Sequence, residues 1–553
     1  MRPLVLRGDK GLPSPRNGIA RARPMIDARQ SHAWLVGGGI ASLAAATYLI
    51  RDIGLPGANI HILEESHRAG GALDGALSSA EKGYVTRGGR MLDEQAYPSL
   101  WNLLETIPSI AEPGISVREE INRFNAEVQT YAKARLIGRG AKILDATRYG
   151  FDFKSRVAMM RLMLTPEAML ASQRIEEHFP AAFFESRFWR MWQTTFAFQK
   201  WHSAAELRRY FLRFAHEFPD LHTLSGVRRT RYNQYDSIIR PLQTWLLDQG
   251  VDVQFGARVV DMDFATDAAG SRRATRIHIM EQGRPRTVEL GEHDTAFMTV
   301  GSITADAAFA GNDAAPELIR DRRDGAWRFW EVIATKADDF GRPSAFFGDI
   351  DASKWQSFTL TMHATDLIDR IVQFSSNQPG TGALMTFVDS AWLLSIVVAH
   401  QPHFLNMPSG CTTLWGYGLN IDTVGDLVRK PMAQCTGREI LTELVHHLGF
   451  EDILDQVMAT TDVTTAMLPY ASAVFSPRTE GDRPLIVPQD AINFAFLGQF
   501  CEQPVDVVFT VEYSVHGAMH AVHTLYQPHE LPPVRHRMME PDVAWRALET
   551  VFR

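Results

Sequence analysis

The residues with the clearest chemical meaning are a glycine-rich turn at 37–42 and an acidic residue, Glu64, further along the chain. The turn reads Gly-Gly-Gly-Ile-Ala-Ser and lies between an apolar segment, 33–36, and a segment of helical character, 43–50. A second apolar segment, 59–63, leads directly into Glu64. This order predicts a strand, a phosphate-binding turn, a crossover helix and a ribose-binding acid, which together form a dinucleotide-binding βαβ unit.

The residues of this unit have separate physical roles. Gly37 permits the tight turn, and Gly39 lets the backbone approach a pyrophosphate at the helix N-terminus, where free N–H groups and the helix dipole favour anions. Ser42 replaces the usual third glycine, but its small side chain still allows the helix to pack closely on the strand. Glu64 would accept hydrogen bonds from ribose hydroxyls and repel a 2′-phosphate. The unit therefore predicts a flavin or nicotinamide dinucleotide.

Two other groups of reactive side chains are more simply explained by roles in the fold than by metal binding or catalysis. His516, His520 and His523 share one helical face, yet neither a carboxylate partner nor a HExxH pattern accompanies them, so we predict no metal ion. His202 and Ser203 are adjacent, but no G-x-S-x-G turn is present. Ser203 is more simply explained as a helix N-cap.

Composition narrows the class of protein. The chain has 553 residues, a formal net charge of −8 and three cysteines, Cys411, Cys435 and Cys501. The acidic balance, without a basic stripe, argues against nucleic acid as a partner. The cysteines lack metal-type spacing, which predicts a reducing, cytoplasmic location. Apolar runs such as 391–399 are shorter than the roughly 20 residues that cross a bilayer.

Strand and helix patterns along the chain predict an α/β fold with a discontinuous, Rossmann-like cofactor domain. Helical and mixed α/β substrate-binding domains are inserted into it. The predicted segments are a disordered N-terminal extension at 1–30, cofactor-binding segments at 31–144, 226–310 and 471–530, a helical substrate or lid region at 145–225, a mixed α/β substrate-binding domain at 311–470 and a short C-terminal tail at 531–553.

With these motifs in place, the chain closely resembles the oleate hydratase family of fatty acid double-bond hydratases, also called the myosin-cross-reactive antigens. Three blocks are long enough to be specific: FAFQKWHS, RYNQYDSI and VVFTVEYSV. The matching stretches span nearly the whole chain in the family's order: 37–52, 87–90, 100–108, 192–210, 231–241, 401–404, 430–448 and 496–515. The resemblance implies a hydro-lyase of fatty acid metabolism that adds water to a cis double bond, typically converting oleate to 10-hydroxystearate, with bound FAD and no net redox change.

The resemblance also implies which residues carry out the chemistry. Tyr210 corresponds to the proton donor, and a phenol is mostly protonated at neutral pH. Arg90 matches a functional arginine of the family. The next position, a water-activating glutamate in most members, is Met91, whose thioether cannot take a proton from water. Asp93 and Glu94 follow closely, although helical spacing turns Glu94 in another direction. We therefore expect ordered water near Arg90 and Met91, and slower hydration.

Recognition of the substrate carboxylate departs from the family pattern as well. The family uses a glutamine, a threonine, an asparagine and a histidine. Gln234 and His403 match, whereas Val397 and Ala399 occupy the threonine and asparagine positions. Burial of methylenes, at about 0.8 kcal/mol each, outweighs a hydrogen bond of about 1 kcal/mol. We therefore expect affinity to survive while regiospecificity becomes looser.

The flavin would bind through residues in several parts of the chain. The candidates are Gly37, Gly39, Ala41, Ser42, Glu64, Arg68, Gly71, Gly88, Met91, Val260, Gly301 and Ser514. A helix beginning near Ser514 is expected to direct its N-terminus at the flavin's carbonyl edge.

Two other functions stay open at the level of sequence. One is a flavin-dependent fatty acid or amine oxidoreductase, because its nucleotide motifs would look similar. The other is a non-catalytic lipid-binding protein, suggested by the missing glutamate. Contact with a membrane surface, and the choice between monomer and homodimer, are also left open.

Overall fold

The computed structural model describes residues 26–73, 75, 83–89, 91–382, 384–504, 506–527 and 540–552. Arg90, one of the predicted catalytic residues, lies outside these described residues, as do most of the predicted N-terminal extension and part of the C-terminal tail. Within them the strands are β1 Ala33–Val36, β2 Ile60–Glu64, β3 Leu92–Asp93, β4 Leu136–Gly138, β5 Lys142–Ile143, β6 Val227–Arg228, β7 Asp252–Phe255, β8 Ala257–Thr266, β9 Arg272–Glu281, β10 Arg284–Glu289, β11 Thr295–Thr299, β12 Ala308–Ala310, β13 Trp355–Met362, β14 Met385–Phe387, β15 Leu394–Val397, β16 Thr412–Gly418, β17 Thr461–Leu468 and β18 Phe494–Leu497.

The described residues also form α-helices, which alternate with the strands along much of the chain. They are α1 Ile40–Tyr48, α2 Pro98–Thr106, α3 Val117–Glu127, α4 Phe153–Leu164, α5 Ala181–Glu185, α6 Arg187–Phe196, α7 Ala204–Arg213, α8 Arg240–Asp248, α9 Gly325–Ala334, α10 Ser344–Phe347, α11 Ile350–Ser353, α12 Asp366–Ser375, α13 Gly437–Leu448, α14 Leu454–Thr460, α15 Val511–Tyr526 and α16 Pro541–Phe552. Two π-helical segments, Leu49–Ile53 and Tyr235–Ile239, extend α1 and precede α8.

A five-stranded parallel sheet has the strand order β18-β11-β1-β2-β7. Residues of β1 and β11 are largely buried, as expected for parallel strands that have helices on both faces. The fully buried helix α1 packs against α15. The predicted α/β class with a discontinuous Rossmann-like sheet is confirmed, because these strands come from three widely separated parts of the chain.

A second, larger sheet has eight strands in the order β12-β17-β13-β16-β15-β14-β4-β5. Its centre, β13, is completely buried and pairs antiparallel with both β16 and β17. β4 and β5 belong to this sheet, although their residues fall within the segment 31–144 predicted for the cofactor domain. A three-stranded antiparallel sheet, β10-β9-β8, and a short pair, β3-β6, complete the strands.

The helices α4 to α7 form an aromatic-rich layer, in agreement with the helical region predicted over 145–225. Trp189 and Trp192 of α6 are fully buried there, and rings from α5, α6 and α7 stack or meet edge to face. Such pairs stabilise a core beyond simple burial. This layer fixes α7, the helix that carries Tyr210, relative to the rest of the fold.

Candidate functional site

A cavity of about 540 Å³ opens at the carboxyl ends of the central parallel strands. That edge of an open α/β sheet is where ligands bind, and the volume is in the range of ligand pockets. The turn after β1, the end of β2, the turn after β11 and the start of α15 all contribute to its wall. Among the predicted cofactor residues, those that line it are Gly37, Gly39, Ala41, Glu64, Arg68, Gly71, Gly301 and Ser514.

Glycines make this cavity by letting backbones come close together. Gly37 has a φ of +90°, a conformation that L side chains rarely adopt. The backbone at Gly71 passes so close to the glycine turn after β1 that a Cβ on Gly71 would lie 3.3 Å from the Cα of Gly39. The N–H of Gly70 donates to the carbonyl of Gly38 at 2.8 Å, which fixes that crossing. The cradle fits an extended phosphate-containing ligand whose pyrophosphate needs free backbone N–H groups.

Glu64 lies at the end of β2, where the sequence places it, and its carboxylate is held by backbone. One oxygen accepts from the N–H of Gly38 at 2.5 Å and the other from that of Ser66 at 2.7 Å. Each carboxylate oxygen keeps a further acceptor position, so ribose hydroxyls can still be bound. The fixed acid therefore marks the nucleoside end of the cavity.

Several predicted cofactor residues lie elsewhere in the structure. Ser42 is fully buried and bonds to the hydroxyl of Thr299 at 3.3 Å, so it packs α1 against the sheet instead of lining the cavity. Val259 lines the cavity where Val260 was predicted, a shift of one residue that moves a strand side chain to the opposite face. Gly88 and Met91 border a different pocket.

Arg87 is a lining residue that the sequence did not single out. Its Nη2 donates to the carbonyl of Gly71 at 3.0 Å, so its guanidinium joins the 87–89 turn to the glycine loop. The predicted helix near Ser514 begins earlier, at Val511, and Thr510 caps it by accepting from the N–H of Tyr513 at 3.2 Å. The start of α15 thus contributes both Val511 and Ser514 to the cavity wall.

A second, much smaller pocket of about 40 Å³ lies beside the first, and Phe509 forms part of the wall of both. The backbone of Phe509 has a φ of +65°, unusual for a bulky residue and a conformation that its surroundings must hold in place. The small pocket is apolar and aromatic on most sides. Its wall consists of Gly88, Gly89, Met91, Thr194, Thr195, Ala197, Arg229, Trp355, Leu384, Val397, Trp415, Tyr417 and Phe509.

Tyr210 lies on α7 and is almost completely buried. Its hydroxyl donates to the carbonyl of Val508 at 2.5 Å, directly next to Phe509. Four rings surround it at centroid distances of 4.9 to 5.9 Å: Phe196, Phe198, Phe214 and Phe475. The structure therefore places Tyr210 behind the wall that separates the two cavities, and not on the lining of the small pocket.

The residue before Tyr210 anchors the same loop. Arg209 forms ion pairs with Glu167 at 2.6 Å and Glu502 at 2.8 Å, and donates to the carbonyls of Gln503 and Asp506. These charges raise the pKa of the Arg209 guanidinium despite its burial. The loop 502–508 is consequently clamped to α7, and the carbonyl that accepts from the tyrosine hydroxyl is fixed.

Neither carboxylate that follows Met91 reaches the small pocket. Asp93 is buried, accepts from His216 at 2.8 Å and caps the backbone N–H groups of the next turn. Glu94 is half-exposed and lies 3.6 Å from Arg118 and 3.9 Å from Arg228. Met91 itself is half-buried and lines the pocket. No carboxylate lines the pocket within the part of the chain that the structure describes.

The four positions predicted for head-group binding separate into two groups. Val397 lines the small pocket, but Ala399 does not, and the Ala399 carbonyl accepts from Gln401. His403 and the segment before Gln234 are joined, because the N–H of Asn233 donates to the His403 carbonyl at 2.8 Å. Gln234 and His403 therefore belong to adjacent segments, and neither of them lines the small pocket.

His403 is held in its neutral form. Burial lowers the pKa of His403 to about 4, and the nearby charges of His400 and Arg229 act in the same direction. Its Nδ1 atom is buried and has no hydrogen-bond partner among the described residues. A neutral imidazole can give or accept a hydrogen bond but brings no positive charge to an anion.

The histidines on α15 have separate partners. His516 pairs with Asp506 at 3.1 Å, and His523 pairs with Asp52 at 2.9 Å. The three cysteines are buried and free. In the described ranges, no helix combines the length and apolar character that crossing a bilayer requires.

Comparison with known proteins adds to this geometry. The profile of the MCRA family matches residues 30–523. The chain is 37% identical over 508 residues to the oleate hydratase of Streptococcus pyogenes serotype M49 (strain NZ131), a match that covers 90% of this chain and 85% of that protein. It is 35% identical over 536 residues to the linoleate hydratase of Lactiplantibacillus plantarum, covering 89% of this chain and 93% of that protein.

The solved structures that align with most of this chain have much lower sequence identity to it. A CLA-producing fatty acid isomerase from P. acnes is 12% identical with a TM-score of 0.47, over 91% of this chain and 100% of that one. A putative protoporphyrinogen oxidase from Exiguobacterium sp. 255-15 is 11% identical with a TM-score of 0.48, over 90% of this chain and 99% of that one.

Proposed function

This chain belongs to the MCRA family, and on that premise we propose that it adds water across the cis double bond of long-chain unsaturated fatty acids. The two relatives, named as oleate and linoleate hydratases, support this reaction class. The observation that carries the proposal is the shared wall at Phe509. An apolar chain held in the aromatic pocket would lie directly beside the end of the dinucleotide cavity near α15.

The cofactor we propose is FAD. Gly37, Gly39 and the N-terminus of α1 would hold its pyrophosphate, Glu64 its ribose, and the start of α15 its ring. The glycine crossing at Gly71 supports this fit, because a side chain there would fill the cradle. Bound flavin would supply an electron-rich surface against which positive charge on the substrate is stabilised, without electron transfer.

Tyr210 is the proposed proton donor. Its proton resides on Oη, in the hydrogen bond to the Val508 carbonyl. During hydration this proton would move to one alkene carbon, whose new C–H bond is made from the π electrons. The surrounding aromatic rings favour the positive charge left on the neighbouring carbon. Because Oη now faces the loop, the transfer requires that the bond to Val508 be exchanged for contact with the alkene.

Water would be placed near Arg90 and Met91. Its oxygen forms the C–O bond to the cationic carbon, and its spare proton returns through solvent to the Tyr210 oxygen, which restores the phenol so that only water is added overall. A carbocation reacts with neutral water readily, so a base of ordinary strength is helpful but not required. A general base contributes about 10²–10⁴-fold to a reaction rate. The absence of a base at Met91 would lower the hydration rate by up to that factor.

Anaerobic incubation of the FAD-loaded protein with oleate in isotopically labelled water tests the proposal. We expect a product heavier than oleate by one labelled water, with no stoichiometric consumption of reductant. A product with a new double bond, or one equivalent of peroxide per turnover, would instead support a flavin oxidoreductase. Binding of oleate without turnover would support a lipid-binding protein.

We also propose the division into an FAD-binding domain of three segments with inserted substrate-binding segments. The strands of the five-stranded sheet come from 31–144, 226–310 and 471–530, which supports this division.

A further inference from the structure

Arg229 is a partly buried cation on the wall of the small pocket. Its backbone is fixed on both sides by Asn125, whose carbonyl oxygen accepts from the Arg229 N–H at 3.0 Å and whose amide donates to the Arg229 carbonyl at 2.7 Å. The Nε and Nη2 atoms are buried and have no hydrogen-bond partner among the described residues. Burial is the cause that lowers the pKa of this guanidinium to about 10, so it stays charged at neutral pH.

Other arginines show how unusual this arrangement is. Arg135 is buried and has no carboxylate partner among the described residues, but it donates to four neutral acceptors: Thr386 Oγ1, the Met191 carbonyl, Thr194 Oγ1 and Thr195 Oγ1. The neighbours of Arg229 in sequence have acidic partners. Arg231 pairs with Glu127 at 3.3 Å, and Arg228 lies 3.9 Å from Glu94. Among the described residues, the Nε and Nη2 atoms of Arg229 have neither kind of partner.

An unpaired buried charge is costly, and such groups are concentrated at binding sites where a ligand completes them. The planar guanidinium matches a carboxylate, which it can bind through two parallel hydrogen bonds. Most of the remaining wall of the small pocket is apolar or aromatic, so the matching ligand is an anion with an apolar part, and under the proposed function that part is the hydrocarbon chain of a fatty acid. His403, the head-group partner implied by the resemblance, has a pKa lowered by burial to about 4, so it is neutral and supplies no charge.

We propose that Arg229 is the charged anchor for the substrate carboxylate and that it makes the site select free acids over neutral lipids of the same length. This inference rests on the proposed function. It also explains how the carboxylate can be oriented although Val397 and Ala399 offer no side-chain donor. One ion pair with a guanidinium can fix the carboxylate in place of two neutral hydrogen bonds.

Binding can be measured without turnover by using saturated ligands. The FAD-loaded protein is titrated with stearate and with 1-octadecanol, and tryptophan fluorescence is followed, since Trp355 and Trp415 border the pocket. We expect R229Q to weaken stearate binding by about 10- to 100-fold, the usual loss for a hydrogen bond to a charged group. Octadecanol binding should not change. R229K should retain an intermediate affinity for stearate, because it keeps the charge but not the planar pair of donors.

R228Q is the matched control, because Arg228 is adjacent, half-exposed and outside both cavities. It should bind both ligands like the wild type. Equal losses for acid and alcohol in R229Q would show a purely structural role and overturn the proposal, as would unchanged stearate affinity, or a wild type that does not prefer the acid. R229Q should also unfold at a higher temperature than the wild type without ligand, since it removes a buried unpaired charge.

The outcome separates this inference from the proposed hydration. A wild type that binds stearate through Arg229 but converts no oleate would refute hydration and leave the anchor intact. Hydration of oleate by the wild type, together with normal stearate affinity in R229Q, would refute the anchor and leave the proposed hydration intact.

Discussion

The dinucleotide cavity and the aromatic pocket meet at Phe509 but are built from different parts of the chain. Backbone forms much of the cavity wall, where glycines let the turns come close together and the first turn of α1 begins. Side chains from segments far apart in sequence form the pocket. The departures from the family pattern, Met91, Val397 and Ala399, all belong to the substrate side. A site formed by backbone requires glycine at particular positions. A site formed by side chains can change its chemistry through substitutions while the fold is kept.

The largest expected effect tests whether the two regions work together through Tyr210. Tyr210→Phe should lower the hydration rate by about 10²–10⁴-fold, because a positioned acid contributes that much. FAD content, measured by flavin absorbance, should stay normal because Tyr210 does not line the cofactor cavity. Tyr149→Phe is the control, since that hydroxyl also donates to a backbone carbonyl, of Phe218, at 2.5 Å but lies away from both cavities. Unchanged turnover in Tyr210→Phe would break the proposed mechanism.

The second prediction tests whether the substrate side can be rebuilt. Met91→Glu places a carboxylate on the wall of a pocket that has none within the described residues. We expect hydration to accelerate by up to about 10²-fold, the lower end of what a general base contributes, because burial also raises the pKa of the new carboxyl. Met91→Gln, which has similar size and no basicity, separates chemistry from shape. A large loss of activity in Met91→Glu would show that water is positioned in another way.

The third prediction concerns the backbone side. Gly301 has a φ of +62°, and a Cβ there would lie 2.8 Å from Phe500 and 3.0 Å from Trp327. Gly301→Ala should destabilise the protein by about 1–3 kcal/mol of overpacking in addition to backbone strain, and should reduce FAD binding. Gly283→Ala is the control, because Gly283 has a φ of +77° but open space around it. That variant should lose only the roughly 1–2 kcal/mol of a left-handed backbone. Thermal unfolding with and without added FAD measures both.

The smallest effect is a pH dependence confined to the substrate side. The pKa of His403 is about 4 in the folded protein, below the ordinary value of 6.5. The unfolded chain therefore binds more protons between these values, and stability falls as the pH drops from about 6.5 towards 4. This residue contributes at most about 1.4 kcal/mol per pH unit. Denaturant unfolding of the wild type and His403→Gln at pH 7, 6 and 5 should give a shallower pH slope for the variant; identical slopes would contradict the assignment.

The same contrast explains how much could be predicted from sequence. The strand at 33–36, the acid at its place after β2 and the interrupted parallel sheet were all predicted, because glycine turns and apolar runs are local signals. Val259 lines the cavity and Val260 does not, because alternation along a strand decides which of two neighbours faces the cavity, and the sequence pattern did not distinguish them. β17 was not predicted, although its alternating start, Thr-Asp-Val-Thr, carried a strand signal.

The substrate side was harder to predict for a physical reason. Arg229 lies in a short arginine-rich run that resembles a solvated surface. Only the folded structure reveals that its Nε and Nη2 atoms are buried without a partner among the described residues, with Asn125 fixing its backbone. Trp355, Trp415 and Phe509 likewise come together from separate segments. Such a wall is a tertiary property, with no local pattern that marks it.

A single ring that belongs to two chambers has a thermodynamic consequence. If occupancy on one side changes the rotamer or backbone of Phe509, the binding free energy on the other side must change as well, and reciprocity requires the two changes to be equal. Loading with FAD would then tune fatty acid affinity by the same factor by which fatty acid retains FAD.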